Sequence, residues 1–285
     1  MKTLIIGGRG LVGSALSRQL PDALCGISIE PKKNTNQIYT DVTKYETLFK
    51  VFSQYRPNIV YMPASITNVD KCEEYSTDVV NVRGAITVLR LCESFESKFV
   101  YFSSSYVFDG KKKSPYTLLD ETAPLNNYGK QKVIVENQIL ESGANALIVR
   151  TVGVYGPERM KKNFAKSVIA SIFSGRKVFA PIDQKMNPIL SVDLAKITIQ
   201  LASKQTGLWH VAGDTCVSKY EFARKIAAYF GLENLVEPKT TEEMNQRAER
   251  PRNGCLDCNE LKRVGIEVPS FDAGLIKFLS LEYNG

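Results

Sequence analysis

The chain has 285 residues, 44% of them hydrophobic, so it can bury a large core as one α/β domain or as two joined lobes. Its 37 lysine and arginine residues outnumber 30 acidic residues, which gives a formal net charge of +7. Because the basic residues are scattered, they favour anionic small molecules over nucleic acid as ligands. The chain has a single histidine, His210, which argues against metal centres built from paired histidines.

A glycine-rich turn follows the first apolar run of the chain. The residues Leu4 to Ile6 predict a short buried strand, and the glycines after it predict a tight turn that opens a helix ending at Pro21. In this position Gly10 would let the backbone approach a pyrophosphate, and Gly13 would let helix and strand pack closely. A glycine pattern is also typical of a simple tight turn, but the strand and helix around it favour a dinucleotide site. The residues predicted to line it are Gly7, Arg9, Gly10, Leu11, Val12 and Gly13.

Strands and helices alternate through the next part of the chain. Strands are predicted at residues 24–29, 59–62, 99–103 and 146–151, and helices at about 44–55, 77–95 and 127–141. This alternation predicts an α/β fold of the Rossmann type, a doubly wound parallel sheet with helices on both faces. Ligands of such sheets bind beyond the carboxyl ends of the strands.

The second part of the chain is less regular. Helices are predicted at about 160–174, 191–203 and 218–230, with short strands near 178–180 and 208–212. We therefore expect a dinucleotide-binding domain at residues 1–156 and, at residues 157–285, mainly a smaller substrate-binding lobe with segments that return to the first domain. His210, in an apolar strand, is predicted to pack in the core.

The choice between NAD and NADP stays open, with NADP preferred. Glu30 follows the second strand, where an acid would bind the ribose 2′-hydroxyl and disfavour a 2′-phosphate. Arg9, Lys32 and Lys33 offer positive charge to that phosphate instead. Asp41 is predicted to cap the next helix or to contact the cofactor. Two apolar neighbours complete the predicted cofactor contacts, Val42 and Ala64.

Tyr128 is the one tyrosine among thirteen with a lysine four residues later. On a helix this spacing places Tyr128 and Lys132 on one face, where an ammonium group stabilises a phenolate. A phenol left alone titrates near about 10 and exchanges protons poorly at neutral pH. A serine-rich strand end, Ser103 to Ser105, precedes the pair by about one supersecondary unit.

The spacing of the cysteines and the length of the apolar runs bear on the compartment, on metal binding and on membrane association. Six cysteines spread through 285 residues are too sparse for a disulfide scaffold, which favours a reducing, cytoplasmic compartment. Cys255 and Cys258 have metal-like spacing, but no second such pair exists, so no metal site is expected. No apolar run approaches the roughly 20 residues that cross a bilayer, so no membrane association is expected.

Seven short stretches of the sequence together match the pattern of a known protein family. They are the loop at residues 7–13, Val69-Asp70-Lys71-Cys72-Glu73, Phe102-Ser103-Ser104-Ser105-Tyr106-Val107-Phe108-Asp109-Gly110, Tyr128-Gly129-Lys130-Gln131-Lys132, Asn163-Phe164-Ala165-Lys166, Asp183-Gln184 and Arg250-Pro251-Arg252-Asn253. Almost end to end, the chain resembles the extended short-chain dehydrogenase/reductases, in particular the dTDP-4-dehydrorhamnose reductase group. The resemblance implies an NAD(P)H-dependent reductase of a 4-keto group on a nucleotide-linked 6-deoxyhexose, with a homodimer as the expected assembly.

The resemblance also implies roles for individual residues. Tyr128 would be the proton donor, Ser104 the second hydrogen-bond donor to the substrate oxygen, and Lys132 the group that lowers the pKa of the phenol and binds cofactor ribose. Substrate contacts are implied for Ser105, Tyr106, Asn163 and Arg250.

The chain departs from the family at two positions. Ser105 stands where the group usually has an aspartate, and Gly153 where it often has a tryptophan, so sugar recognition is expected to differ. Two alternatives stay open. The chain also resembles the regulatory β subunit of methionine adenosyltransferase, which binds a partner and does not catalyse reduction, and the same scaffold supports nucleotide-sugar epimerases and dehydratases that hold NAD tightly.

Overall fold

The computed structural model describes residues 1–32, 35–157 and 163–283. These residues form two compact units, and the chain passes between them several times. The first unit comprises residues 1–104, 126–150 and 195–209, and the second comprises residues 105–125, 151–194 and 210–285. The predicted assignment of cofactor binding to residues 1–156 and of substrate binding to the remainder stays a prediction.

The first unit is built around a seven-stranded sheet. In chain order its elements up to residue 151 are β1 (Thr3–Ile6), α1 (Leu11–Gln19), β2 (Leu24–Ile27), β3 (Gln37–Tyr39), α2 (Tyr45–Tyr55), β4 (Ile59–Met62), a π-helix (Val79–Gly84) that continues as α3 (Ala85–Ser94), β5 (Lys98–Ser104), α4 (Asn127–Ser142) and β6 (Ala146–Thr151).

The remaining elements follow from residue 154. They are β7 (Val154–Tyr155), α5 (Phe164–Ile172), β8 (Val178–Pro181), β9 (Lys185–Met186), β10 (Ile189–Leu190), α6 (Ser191–Lys204), β11 (Gly207–His210), β12 (Val217–Ser218), α7 (Lys219–Tyr229), β13 (Val236–Lys239), α8 (Asn259–Arg263) and α9 (Phe271–Tyr283).

The order of the strands in the large sheet confirms the predicted Rossmann-like class. The order is β11-β6-β5-β4-β1-β2-β3, and β1 pairs in parallel with both β2 and β4. Strand β1 is buried along its whole length, as a strand covered on both faces requires. Side chains of α2, α3 and α4 pack with those of the central strands into one apolar core. The sheet thus holds the carboxyl ends of β1, β4 and β5 side by side.

The second unit has small sheets and a separate aromatic core. Rings of Tyr155, Phe222, Phe271 and Phe278 pack edge to face, with Tyr155 5.2 Å from Phe222 and 5.8 Å from Phe278 between ring centroids. Such aromatic pairs each add about 0.5–1.5 kcal/mol beyond their buried area. His210 is 2% exposed and meets the Phe108 ring edge-on, which agrees with its predicted place in the core.

Two features of the second unit were not expected. Helix α9 has apolar residues at helical spacing, Phe271, Leu275, Phe278 and Leu279, so the signal was present in the sequence. Cys216 and Cys255 form a disulfide bond, although the sparse cysteines had not indicated one.

The helix expected at about 160–174 is observed as α5 from Phe164, and its predicted residues 160–162 lie outside the described ranges.

Candidate active site

The glycine loop after β1 has the close packing that only glycine permits. Gly7 has a φ of +96°, and a Cβ there would lie 2.9 Å from the backbone of Ala64. A Cβ on Gly13 would collide with the carbonyl oxygen of Gly7. Above Gly10, in contrast, the space is open, since its Cβ would meet nothing nearer than the Gly7 oxygen at 3.5 Å. The loop therefore leaves a cradle over Gly10, and Ala64 lies beside it.

The amino end of α1 faces this cradle with backbone groups only. Gly10 is its N-cap and supplies no side-chain cap, and the first turn carries no acidic residue. The first N–H groups of a helix have no partner within it and attract anions. Leu11, Val12 and Gly13 carry these N–H groups, so the residues present fit a bound pyrophosphate of NAD or NADP.

Charged residues near the loop are solvent-exposed. Arg9, Glu30 and Lys32 are all exposed, and Lys33 lies outside the described residues. Strand β2 ends at Ile27, so Glu30 lies three residues beyond the strand rather than at its predicted end. Both an acid and two cations are thus free to approach an adenosine ribose.

Asp41 does not cap α2, contrary to the prediction. The N-cap of that helix is Lys44, and the Asp41 carboxylate instead accepts hydrogen bonds from the Thr43 N–H at 3.0 Å and the Thr43 hydroxyl at 2.7 Å. Burial would raise the pKa of Asp41, but these hydrogen bonds outweigh it and lower the pKa. Val42 packs tightly against the backbone at Gly84.

Tyr128 and Lys132 lie at the start of α4, as the spacing predicts. Asn126 caps this helix by accepting the Gly129 N–H at 2.9 Å. The Glu73 carboxylate accepts the Asn127 N–H at 3.0 Å, which anchors the first turn. Both side chains of the pair are buried, and the Lys132 ammonium lies 5.5 Å from the centre of the Tyr128 ring.

The buried ammonium group ties α4 to the ends of two strands. Lys132 Nζ donates to the carbonyl oxygen of Phe102, near the end of β5, at 2.9 Å and to Ser65 Oγ, after β4, at 3.4 Å. It also lies 4.8 Å from the centre of the Tyr101 ring. Ser104 is the last residue of β5 and is 7% exposed. The trio of Ser104, Tyr128 and Lys132 therefore belongs to one unit, at one edge of its sheet.

Burial controls the acidity of Lys132. Desolvation lowers its pKa to about 8, although the negative charge of Glu136 and the Cys72 thiol oppose this change. A lysine with this pKa still carries its proton at neutral pH. A buried cation beside a phenol stabilises the phenolate, which is the property that proton donation at neutral pH requires.

A buried ion pair lies one turn further along α4. Arg150, on β6, donates to Glu136 through Nε at 2.9 Å and through Nη2 at 2.6 Å. The two side chains are only 5% and 2% exposed. This two-point contact joins α4 to the strand beside β5.

The residues expected to bind substrate all lie in the second unit. Ser105 and Tyr106 line a small pocket, together with Val152, Gln184, Lys185, Met186, Lys219, Pro251 and Gly254. Ser105 is fully buried, and its hydroxyl finds no hydrogen-bond partner within the described part of the chain. Gly153 has a φ of +58°, and a Cβ there would lie 2.8 Å from the Met186 sulfur. A side chain at this position would therefore strain the backbone and crowd Met186.

Asn163 and Arg250 are held by the local backbone. Asn163 caps α5, accepting the Lys166 N–H at 3.2 Å and donating to the Gly156 carbonyl at 3.1 Å. Arg250 is 7% exposed and donates to the Ala248 carbonyl at 2.9 Å. The two residues are absent from the wall of the pocket at Ser105, and their contact with substrate stays a prediction.

Sequence reasoning missed the polar residues behind Lys132. The buried side chains of Asn81 and Gln131 form a hydrogen-bonded cluster there with the partly buried Ser65. The signal in the sequence was weak: Gln131 is a polar residue next to Lys132 on a predicted helix. Among the described residues, no group of three metal-ligating side chains is found, and no helix is long and apolar enough to span a membrane.

The chain is similar to known proteins over almost its whole length. The family model described as the RmlD substrate binding domain matches residues 1–283. A dTDP-4-dehydrorhamnose reductase of Aggregatibacter actinomycetemcomitans is 31% identical over 291 residues, covering 96% of this chain and 97% of the relative. The methionine adenosyltransferase 2 subunit beta of Rattus norvegicus is 27% identical over 280 residues, covering 93% of this chain and 83% of the relative.

Solved structures give the same family. The dTDP-4-dehydrorhamnose reductase of Bacillus anthracis in complex with NADP has a TM-score of 0.86 at 29% identity and covers 98% of this chain and 99% of that chain. A Thermus thermophilus UDP-glucose 4-epimerase with NAD has a TM-score of 0.87 at 17% identity, with 98% of each chain covered, and this likeness shows the fold alone. The chain therefore belongs to the RmlD substrate binding domain family, within the dTDP-4-dehydrorhamnose reductase group of the extended short-chain dehydrogenase/reductases.

Proposed function

We propose that this protein is an NAD(P)H-dependent oxidoreductase that reduces the 4-keto group of a nucleotide-linked 6-deoxyhexose. The single observation that carries the proposal is the buried Lys132 ammonium beside the Tyr128 ring, tied to the end of β5 by the Phe102 carbonyl. The pair lies in the same unit as the glycine cradle. Relatives of similar length named dTDP-4-dehydrorhamnose reductase support the substrate class.

Each residue of the trio has a distinct part in the reduction. A reduced nicotinamide dinucleotide, with its pyrophosphate held at residues 7–13, would supply the hydride to the carbonyl carbon. The Tyr128 hydroxyl donates its proton to the carbonyl oxygen as negative charge develops there, and Ser104 donates a second hydrogen bond to the same oxygen. Lys132 stabilises the phenolate left on Tyr128. Because these interactions strengthen only in the transition state, they act on turnover more than on binding.

The substrate contacts, the assembly and the compartment are part of the proposal. Ser105 and Tyr106 would contact the sugar nucleotide, and Asn163 and Arg250 would complete that site. We propose NADP as the preferred cofactor, a homodimer as the assembly and the cytoplasm as the compartment, where the disulfide bond of Cys216 and Cys255 would be an exception among cytosolic proteins. The Bacillus anthracis neighbour, with NADP in its structure, supports the cofactor.

The test is a spectrophotometric panel with substrate and cofactor varied separately. NADH and NADPH are each offered with dTDP- and UDP-linked 4-keto-6-deoxyhexoses, and oxidation of the nicotinamide is followed. We expect Tyr128→Phe to bind cofactor normally and to lose at least about 100-fold in turnover, the lower end of general-acid contributions. The matched control is Tyr45→Phe, since Tyr45 is 53% exposed on α2. Turnover of Tyr128→Phe close to that of the control contradicts the proposed role.

One alternative is favoured by a specific observation. The methionine adenosyltransferase beta subunits match 93% of this chain, so a regulatory dinucleotide-binding subunit is the second candidate. Such a protein binds NADPH yet leaves every 4-keto sugar nucleotide in the panel unreduced. Calorimetric binding of NADPH together with a blank panel would select this candidate.

A further inference from the structure

The catalytic lysine is connected to a buried amide, Asn81, through one serine. Ser65 Oγ accepts from Lys132 Nζ and donates its own hydrogen to Asn81 Oδ1 at 3.0 Å. Asn81 lies in the π-helix and is 3% exposed. Its side chain also accepts the Ile66 N–H at 2.7 Å and donates to the Ile66 carbonyl oxygen at 3.0 Å. π-Helical turns inside longer helices occur frequently at functional sites. Asn81 thus fixes the position of Ser65.

The Asn81 amide is in turn oriented by Gln131 on α4. Asn81 Nδ2 donates to Gln131 Oε1 at 2.7 Å. The amide nitrogen of Gln131 then donates to Thr77 Oγ1 and to the carboxylate of Asp78, both at 2.7 Å. Reversing the Gln131 amide would place its NH₂ group against that of Asn81 and its oxygen against a carboxylate. Only one orientation of Gln131 is therefore compatible with its neighbours.

These bonds form a directional chain from a cation to an anion. Each donor points away from the ammonium group, and the successive members are Lys132, Ser65, Asn81, Gln131 and Asp78. The first link, at 3.4 Å, is the longest. In a poorly solvated interior such bonds polarise one another, because each donor becomes more acidic when its own acceptor is engaged. The carboxylate at one end thereby favours positive charge at the other.

We propose that Gln131 and Asp78 are positioning residues which, through Asn81 and Ser65, hold Lys132 in its protonated form for the reduction. The inference rests on the proposed function. It extends the trio by two residues that touch neither the reacting carbonyl nor the cofactor. Gln131 orients the amide of Asn81, and Asp78 supplies the negative charge.

Other groups also face the ammonium, and the test must separate them from the chain. Glu136 favours its charge from α4, although Arg150 neutralises that carboxylate from β6. The Cys72 thiol lies on the side of Asn81, with the Asn81 nitrogen 3.6 Å from the sulfur. The rings of Tyr101 and Tyr128 cover the remaining sides. Asp78 is the only carboxylate that the described bonds connect to Lys132 through the serine.

The experiment measures the titration of Lys132 directly, with neither cofactor nor substrate present. Protein labelled with ¹³C at the lysine ε-carbons is titrated by NMR, and the Lys132 signal is assigned by its loss in Lys132→Arg. The test variants are Gln131→Met, which keeps the side-chain volume, and Asp78→Asn, which removes only the charge. Gln138→Met on the exposed side of α4 and Asp22→Asn at an exposed position are the matched controls, and Asp78→Glu restores the carboxylate.

We expect Gln131→Met and Asp78→Asn each to lower the pKa of Lys132 by roughly half a unit or more, with the controls unchanged and Asp78→Glu close to wild type. The pH at which kcat falls on the alkaline side should decrease by the same amount, whereas a purely structural defect would scale kcat at every pH. An unchanged Lys132 titration in either test variant overturns the proposal. If Gln131→Met does not fold, the partly exposed Asp78 position decides the outcome.

Failure of the proposed function is recognised separately. A wild-type protein that reduces no 4-keto sugar nucleotide overturns the reductase proposal. The NMR titration of the same cofactor-free protein still shows whether the chain of hydrogen bonds stabilises the Lys132 ammonium.

Discussion

The buried pair of Glu136 and Arg150 should be among the most sensitive positions of the first unit. Two hydrogen bonds of 2.9 and 2.6 Å join the side chains, which are only 5% and 2% exposed. Removing one partner leaves the other charge buried without compensation, which costs about 3–5 kcal/mol. We therefore expect Glu136→Gln to lose stability in this range. The double variant Glu136→Leu/Arg150→Met should recover most of the loss, because apolar side chains of similar volume replace such pairs at little cost.

Urea unfolding followed by the fluorescence of Trp209 measures this effect. Trp209 is the single tryptophan of the chain and lies in the same unit as the pair. The control is Glu141→Gln, at an exposed position near the end of α4, which should change stability by less than about 0.5 kcal/mol. A loss below about 1 kcal/mol in Glu136→Gln, or a double variant no more stable than either single one, would refute the reasoning.

Three further predictions follow from packing and chain connectivity. Gly13→Ala should weaken NADPH binding about tenfold or more in calorimetry, since the new methyl group collides with the Gly7 carbonyl and displaces the loop. The comparison variant is Gly143→Ala, which strains the left-handed C-cap of α4 at φ +66° without a contact to the loop, and which should destabilise the protein yet leave NADPH affinity unchanged. Alkylation and intact-mass measurement without reductant should find two of the six cysteines protected. Reduction should lower the free energy of unfolding by about 4 kcal/mol, the loop-closure value for the separation of 39 residues between Cys216 and Cys255. Six alkylated thiols would contradict the pairing. Asn163→Ala should cost about 1 kcal/mol in urea unfolding through loss of the α5 cap, whereas Asn163→Asp should retain most of it, and equal losses in both would argue against a capping role.

Local patterns in the sequence were sufficient for the main elements and for the placing of Tyr128 and Lys132 on one helix. The helix that carries Tyr128 and Lys132 was predicted at about 127–141 and is observed at Asn127–Ser142. A spacing of four residues on one helix is a local property, so the sequence alone specifies it. The glycine loop was equally readable, because Gly13 packs against Gly7 and Gly8, which are close to it in the chain, whereas the contact of Gly7 with Ala64 was not.

Long-range contacts were not readable in the same way. Gln131 meets Asn81 across 50 residues of sequence, and Lys132 meets Ser65 across 67. Nothing in a linear pattern states which buried amide will face which, because that depends on how α4 packs against the π-helix. The Asp41 error has a different, local origin, because Thr43 two residues later engages the carboxylate, and α2 begins only after Lys44.

The π-helix at Val79–Gly84 makes the number of residues in this segment as important as their identity. A π-turn contains one residue more than the corresponding α-helical turn. Deleting one residue before Asn81 in this segment would close the wide turn into an α-helical one and move Asn81 to the preceding position, where a side chain points about 100° away around the axis. Asn81 would then face away from its partners even though its codon was untouched. Relatives that differ here by a one-residue gap should therefore be regarded as differing in the environment of the lysine at position 132, however similar their aligned residues are.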